Sequence, residues 1–109
     1  ANLSAKVGSI EDNKRGGWHS YRASKAAQNM LTKNLAIELS MNNKFSTLCV
    51  SLHPGTVDTD LSKPFSRNIN KDNLFTPEEC VENLIKVINN LKEADNGSFF
   101  DWSGKKIPW

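Results

Sequence analysis

The chain has 109 residues, a formal net charge of +2 and 38% hydrophobic residues; this suits one globular domain and leaves no room for two. Charged residues make up 24%, an ordinary share for a folded protein, and a charge of +2 on scattered lysines and arginines gives no electrostatic case for nucleic acid or an anionic membrane. No apolar run approaches the ~20 residues of a bilayer span, and no basic-then-apolar leader opens the chain, so a cytoplasmic protein without membrane or nucleic-acid partners is expected.

Ala1-Asn2-Leu3-Ser4 reads as the end of a strand already under way, which suggests a partial chain. Residues 5–19 contain Gly8, Gly16 and Gly17 among polar residues and read as a loop. From about Ser20 to Leu39 good helix formers dominate. Ala23, Ala26, Ala27, Met30, Leu31, Leu35, Ala36 and Leu39 recur at three- and four-residue spacings, an apolar arc wide enough to pack on two sides. Asn42-Asn43-Lys44 ends this helix, and Phe45 to His53 is predicted as a strand around Leu48, Cys49, Val50 and Leu52. A near-continuous apolar run of this kind suits a parallel sheet covered on both faces.

His53-Pro54-Gly55 breaks the strand. Residues 56–75 are predicted as a long irregular loop with one short helical turn; loops of that length often serve as lids or binding segments. Thr76-Pro77-Glu78-Glu79 starts a second helix, with Thr76 as cap, Pro77 in the first turn and Glu79 closing a capping box. Val81, Leu84, Ile85, Ile88 and Leu91 then define a buried face. Asp95-Asn96-Gly97 turns the chain, Ser98 to Trp102 forms a last strand, and Gly104 to Trp109 is a tail. Strand, helix, strand, helix, strand implies crossover units in a parallel α/β sheet.

Cys49 and Cys80, one assigned to a strand and one to a helix, read as buried free thiols. The two histidines lack clustered ligands and make no metal site. His19 is expected at a rim, and His53 at a strand end hydrogen-bonded to backbone. Phe99, Phe100, Trp102 and Trp109 are expected in the core or at a subunit interface.

Tyr21-Arg22-Ala23-Ser24-Lys25 carries the chemistry. Tyr-x-x-x-Lys puts a phenol and an ammonium one helical turn apart. A phenol is a poor acid at neutral pH, with a pKa of about 10, and a nearby ammonium stabilises its anion. Such a pair can pass a proton to or from a carbonyl or hydroxyl oxygen. By itself the motif is weak, because chance helices contain it.

The surroundings strengthen it. Tyr21-Arg22-Ala23-Ser24-Lys25-Ala26-Ala27 resembles the active-site helix of short-chain dehydrogenases/reductases, and Asn2-Leu3-Ser4 with Gly8 resembles the strand end that precedes it. His53-Pro54-Gly55-Thr56-Val57-Asp58-Thr59 resembles the family's Pro-Gly segment. Asp12 to Trp18 and the ending Phe100-Asp101-Trp102 to Ile107-Pro108-Trp109 resemble the branch of C-factor-like and sniffer-type carbonyl reductases. The resemblance spans residues 1–109 as one partial domain, the C-terminal half of a Rossmann-like, doubly wound parallel sheet.

That resemblance implies an NAD(P)-dependent oxidoreductase acting on a small carbonyl or alcohol substrate, a homo-oligomer in full-length form. Tyr21 would be the general acid/base, and Lys25 would hold the nicotinamide ribose and support the phenolate. Pro54, Gly55, Val57 and Thr59 would line the nicotinamide end, Gly55 by letting backbone approach a flat ring, Thr59 through its hydroxyl and free amides. The family's substrate-binding serine falls on Ala5. Ser9 is the expected substitute; a site with no serine is the alternative. No Gly-x-x-x-Gly-x-Gly segment occurs, so the cofactor's phosphate loop and the choice between NAD and NADP lie outside these residues. A non-catalytic cofactor-binding regulator and an inactive fragment remain the other readings.

Overall fold

The computed structural model describes residues 1–42, 46–64 and 66–109. Strand β1 (Asn2–Leu3) leads through a 3-10 turn (Lys6–Gly8) and a glycine-bearing loop into α1 (His19–Met41). Then come β2 (Ser51–His53), β3 (Thr56–Val57), β4 (Leu74–Phe75), α2 (Pro77–Asn89) and β5 (Phe99–Asp101). β1, β2 and β5 form a parallel sheet in the order β1-β2-β5, the crossover arrangement that the alternation of elements predicts.

Alternation along β2 explains why the helices take opposite faces. Successive side chains of a strand point to opposite sides. Val50 and Leu52 join Cys80, Leu84, Val87 and Phe100 in the main apolar cluster, the α2 side. Ser51 points the other way and donates to Thr32 Oγ1 of α1 at 2.9 Å. On that side α1 meets the sheet through polar groups: Asn2 Nδ2 donates to Thr32 Oγ1 at 2.9 Å and Ser4 Oγ to Asn29 Oδ1 at 2.7 Å. Asn29, Thr32 and Ala36 are the buried residues of α1. Met30, Leu31 and Leu35, expected in its apolar arc, face outward, Leu31 with 66% of its surface exposed. Small and polar side chains let the helix sit close to the strands, which leaves the large apolar ones on its far side.

α2 shows the same displacement by one residue. Its inward stripe is Cys80, Leu84 and Val87, with Leu91 packed against the cluster just beyond its end. Val81, Ile85 and Ile88, predicted as buried, are exposed. Both stripes obey helical spacing, and the sheet selects one of them. The helix start is as expected: Glu79 N–H donates to Thr76 Oγ1 at 3.2 Å and Thr76 N–H to Glu79 Oε2 at 2.9 Å, a complete capping box.

The strand expected over 45–53 is confined to Ser51–His53; Asn43, Lys44 and Phe45, where that strand was to begin and the helix to end, lie outside the described residues. Cys49 precedes the strand, and its N–H donates to the Asn96 side chain at 2.9 Å, so a side-chain amide takes the place of a ladder partner. Cys49 and Cys80 are buried free thiols. The 56–75 segment is not wholly irregular. β3 and β4 pair in parallel at its two ends, Thr56 with Leu74 and Val57 with Phe75, and it carries two 3-10 turns, Ser66–Asn68 and Lys71–Asn73. Two-residue strands have no periodicity to read. The last strand is Phe99–Asp101, and its Phe100 bridges antiparallel to Lys106.

Candidate active site

Tyr21 and Lys25 lie in the first turns of α1, beside the segment that leaves the carboxyl end of β1. The entry to the helix is built from three consecutive left-handed residues: Gly16 (φ 63°), Gly17 (φ 69°) and Trp18 (φ 49°). A tryptophan in this region costs roughly 1–2 kcal/mol, strain of the sort that collects at functional sites. Arg22 holds the loop in place. Its Nε donates to the Gly16 and Gly17 carbonyls at 3.2 and 3.0 Å, and its Nη1 to the Val7 carbonyl at 3.2 Å.

Tyr21 is 45% exposed. The Lys25 ammonium sits 5.9 Å from the Tyr21 ring centroid and donates to Gln28 Oε1 at 3.3 Å. The two groups share one helix face, as their spacing requires. Trp18 flanks the phenol with ring centroids 6.3 Å apart. Behind the pair, Gly8 presses on the helix: a Cβ there would lie 2.7 Å from the Lys25 carbonyl carbon. Only glycine permits that approach.

The second predicted cluster lies beyond the carboxyl end of β2, in the place where parallel sheets bind ligands. Gly55 adopts φ 79°, and a Cβ on it would lie 2.7 Å from Phe75 Cε2 and 3.0 Å from Trp102 Cδ1. The flat rings it meets are therefore the protein's own, packed edge-on with centroids 4.7 Å apart. The Pro54 carbonyl accepts from Cys80 Sγ at 3.8 Å, and burial pushes the Cys80 thiol pKa upward. Val57 is partly buried against the apolar cluster. Thr59 does not offer a free amide: its N–H donates to Ser62 Oγ at 3.1 Å, and its carbonyl accepts from Ser62 and Lys63 N–H groups. Its hydroxyl is the group available to a ligand on this exposed residue.

Ser9 occupies a different environment from the one predicted. It is 1% exposed. Its Oγ donates to the Pro108 carbonyl at 2.5 Å, lies 3.3 Å from the Trp109 carbonyl and accepts from Asp12 N–H at 3.1 Å. Ala5, at the serine position, is buried. His53 also departs from expectation: its Nδ1 is buried without a hydrogen-bond partner. Burial lowers its pKa, Asp101 opposes that shift, and Lys6 adds to it. Among the described residues no group of His, Cys, Asp and Glu could hold a metal, and no helix is long and apolar enough to cross a membrane.

A parallel crossover sheet in the order β1-β2-β5 with connecting helices is a Rossmann-like α/β arrangement. The short chain dehydrogenase family matches residues 4–70, and the chain belongs to that family. It is 40% identical over 107 residues to the 1-hydroxy-2-glutathionyl-2-methyl-3-butene dehydrogenase of Rhodococcus sp. (strain AD45), covering 98% of this chain and 45% of that protein. It is 33% identical over 109 residues to the C-signal of Myxococcus xanthus, covering 100% of this chain and 60% of that protein. The structure of NADPH-bound carbonyl reductase from chicken fatty liver superimposes with a TM-score of 0.80 at 37% identity, covering 98% of this chain and 41% of that one. The chain thus spans about half the length of the relatives it matches.

The sequence marked Tyr21, Lys25 and the Pro54–Gly55 bend. It missed Arg22, Gln28 and Trp18 as supports of the pair. The Gly16-Gly17 doublet was the available signal for the left-handed run.

Proposed function

We propose that these residues form the C-terminal, catalytic half of an NAD(P)-dependent oxidoreductase that interconverts a carbonyl and an alcohol in a small molecule. The observation that carries this reading is the half-exposed Tyr21 phenol stacked with the Lys25 ammonium at the head of α1. The family membership and the NADPH-bound carbonyl reductase relative support it.

The donor set fits the nicotinamide–ribose end of such a cofactor. Lys25 offers an ammonium with hydrogens beyond the one given to Gln28, suited to ribose hydroxyls, and Tyr21 offers a phenol beside it. Pro54, Gly55 and Val57 would form the floor of that end, with Thr59 adding a hydroxyl. When bound, the cofactor supplies or accepts the hydride. Tyr21 donates its hydroxyl proton to the substrate oxygen in reduction and takes it back in oxidation. Lys25 holds the phenolate electrostatically, and its contact with Gln28 keeps it on that face. Ala5 gives the substrate oxygen no second donor, and the loss of one such hydrogen bond costs roughly 2–3 kcal/mol of transition-state stabilisation. No Gly-x-x-x-Gly-x-Gly run occurs in this sequence, and the residues named here do not choose between NAD and NADP.

Tyr21→Phe in the whole protein is expected to lower turnover by about 10²–10⁴-fold, the contribution of a positioned acid/base, while cofactor affinity stays within about twofold of wild type on the scale of one weak contact. NAD(P)H oxidation against a panel of aldehydes and ketones, with a fluorescence titration of cofactor, measures both. Undiminished turnover in the variant would overturn the proton relay.

A second reading has its own support. Ala5 replaces the serine, Ser9 is engaged elsewhere, and one relative is called C-signal. Tight cofactor binding with no turnover across the same panel would favour a non-catalytic signalling role.

A further inference from the structure

Two segments far apart in sequence meet at Ser9, the residue that follows Gly8. After β5 the chain doubles back on itself. Ile107 N–H donates to the Phe99 carbonyl at 2.8 Å, and Trp109 stacks on the Phe99 ring with centroids 5.5 Å apart and an interplanar angle of 16°. This anchors the backbone at 108–109 to the sheet. That backbone then grips the loop ahead of α1: the Trp109 carbonyl accepts from Glu11 N–H at 3.0 Å, and the Pro108 carbonyl accepts from Ser9 Oγ at 2.5 Å. Ser9 Oγ also receives Asp12 N–H, and Asp12 is paired with Lys6 at 3.7 Å. One buried hydroxyl therefore ties the tail, the loop and the turn that ends at Gly8.

Gly8 in turn lies flush on the Lys25 backbone. The mechanical sequence is short: sheet, Trp109, Ser9, Gly8, Lys25. Each link is a tight contact with no slack, and packed interiors transmit displacement. We propose that Ser9 and the Pro108–Trp109 segment form a clasp that positions Lys25 and Tyr21 for proton transfer. Ser9 is then a positioning residue, not a substrate-binding one. This rests on the Tyr21–Lys25 reading given above. It goes beyond that reading by assigning a role to a serine that touches no reactant and to a tail remote in sequence from the site.

The test uses the whole protein with its nicotinamide cofactor. Ser9→Ala removes the hydroxyl, and Trp109→Leu removes the stacking that anchors the other side. Each is expected to lower kcat by about tenfold to a hundredfold, the scale of a small misplacement of reacting groups, with KM for the carbonyl substrate unchanged and cofactor affinity weakened only by the few-fold that a displaced Lys25 contact allows. Because both act through one contact, the double variant should be no worse than the poorer single one. If Ser9→Ala does not fold, Trp109→Leu alone decides the matter by the same split between kcat and KM. An active wild type whose variants keep kcat within twofold, or raise the carbonyl KM as much as they lower kcat, overturns the clasp and leaves the oxidoreductase reading standing. A wild type that turns over no carbonyl removes the reaction and the clasp with it.

Discussion

His53 shows how one side chain can set a pH dependence. It ends β2, its register partner on β5 is Asp101, and Lys6 acts on it from the turn after β1. Its Nδ1 is buried without a partner. Charging this ring would put a cation in a poorly hydrated place, and burial lowers its pKa below the ordinary 6.5 despite the attraction of Asp101. As pH falls, the unfolded chain takes up the proton first. The stability that comes from keeping His53 neutral is therefore full above 6.5, declines as pH drops below it, and levels off once the folded-state pKa is passed. Asp101 titrates elsewhere. Burial pushes its carboxyl up, but the Ser103 side chain and the Lys105 and Ser103 amides outweigh that and hold it below 3.8, so its contribution is lost only at still lower pH. Urea midpoints at pH 7.5 and pH 5.5 should show a less stable protein at the lower value, and His53→Asn should remove most of the difference. Equal midpoints for wild type would refute this account. The sequence could not show it, because burial of one ring nitrogen depends on packing from three elements. Tyr21 and Lys25 were legible for the opposite reason: a four-residue helical spacing settles which face they share. Ser9 was not, since its acceptor lies 99 residues away.

At the level of elements, the contact between the 3-10 turn Lys6–Gly8 and α1 fixes the site. A Cβ at Gly8 would meet backbone and Cβ atoms of Lys25 at 2.7 and 2.8 Å, none of which can swing aside as a long side chain would. Gly8→Ala should therefore push the turn off the helix, destabilise the protein by about 1–3 kcal/mol as overpacking does, and lower kcat more than it raises KM. Thermal melts and steady-state kinetics together check it; a fully stable, fully active variant would mean that the helix yields without consequence. Helices of this chain were plain in the sequence, but not the way they face. α2 carries two stripes at helical spacing, and only the position of β2 and β5 decides that Cys80, Leu84 and Val87 point inward. For α1 the inward face is polar, held by Ser4, Ser51 and Asn2; a search for apolar periodicity selects the other side. The β3–β4 pair escaped notice because two residues per strand carry no pattern.

For the whole molecule, the parallel crossover sheet was readable because helices and strands alternate with clear breaks between them. What the alternation leaves open is how much apolar surface remains outside. α1 exposes Met30, Leu31, Leu35 and Met41, and α2 exposes Val81, Ile85 and Ile88. β1 lies at the edge of its sheet, and its Leu3 is 55% exposed. Two apolar helix faces and a strand edge that are uncovered among the described residues are features that folded proteins normally keep from water or from each other. The 109-residue chain, prepared alone, is therefore expected to self-associate as its concentration rises and to bind an apolar dye such as ANS. Sedimentation velocity over a concentration series measures the first effect. Leu31→Lys with Leu35→Glu should weaken it without lowering the melting temperature, because neither side chain belongs to the buried cluster. A chain that stays monomeric throughout and binds no dye would show that these faces are too dispersed to act as a surface. Association that persists in the doubly charged variant would instead place the adhesive surface on α2 or on the open edge of β1, and Ile85→Lys would then separate those two.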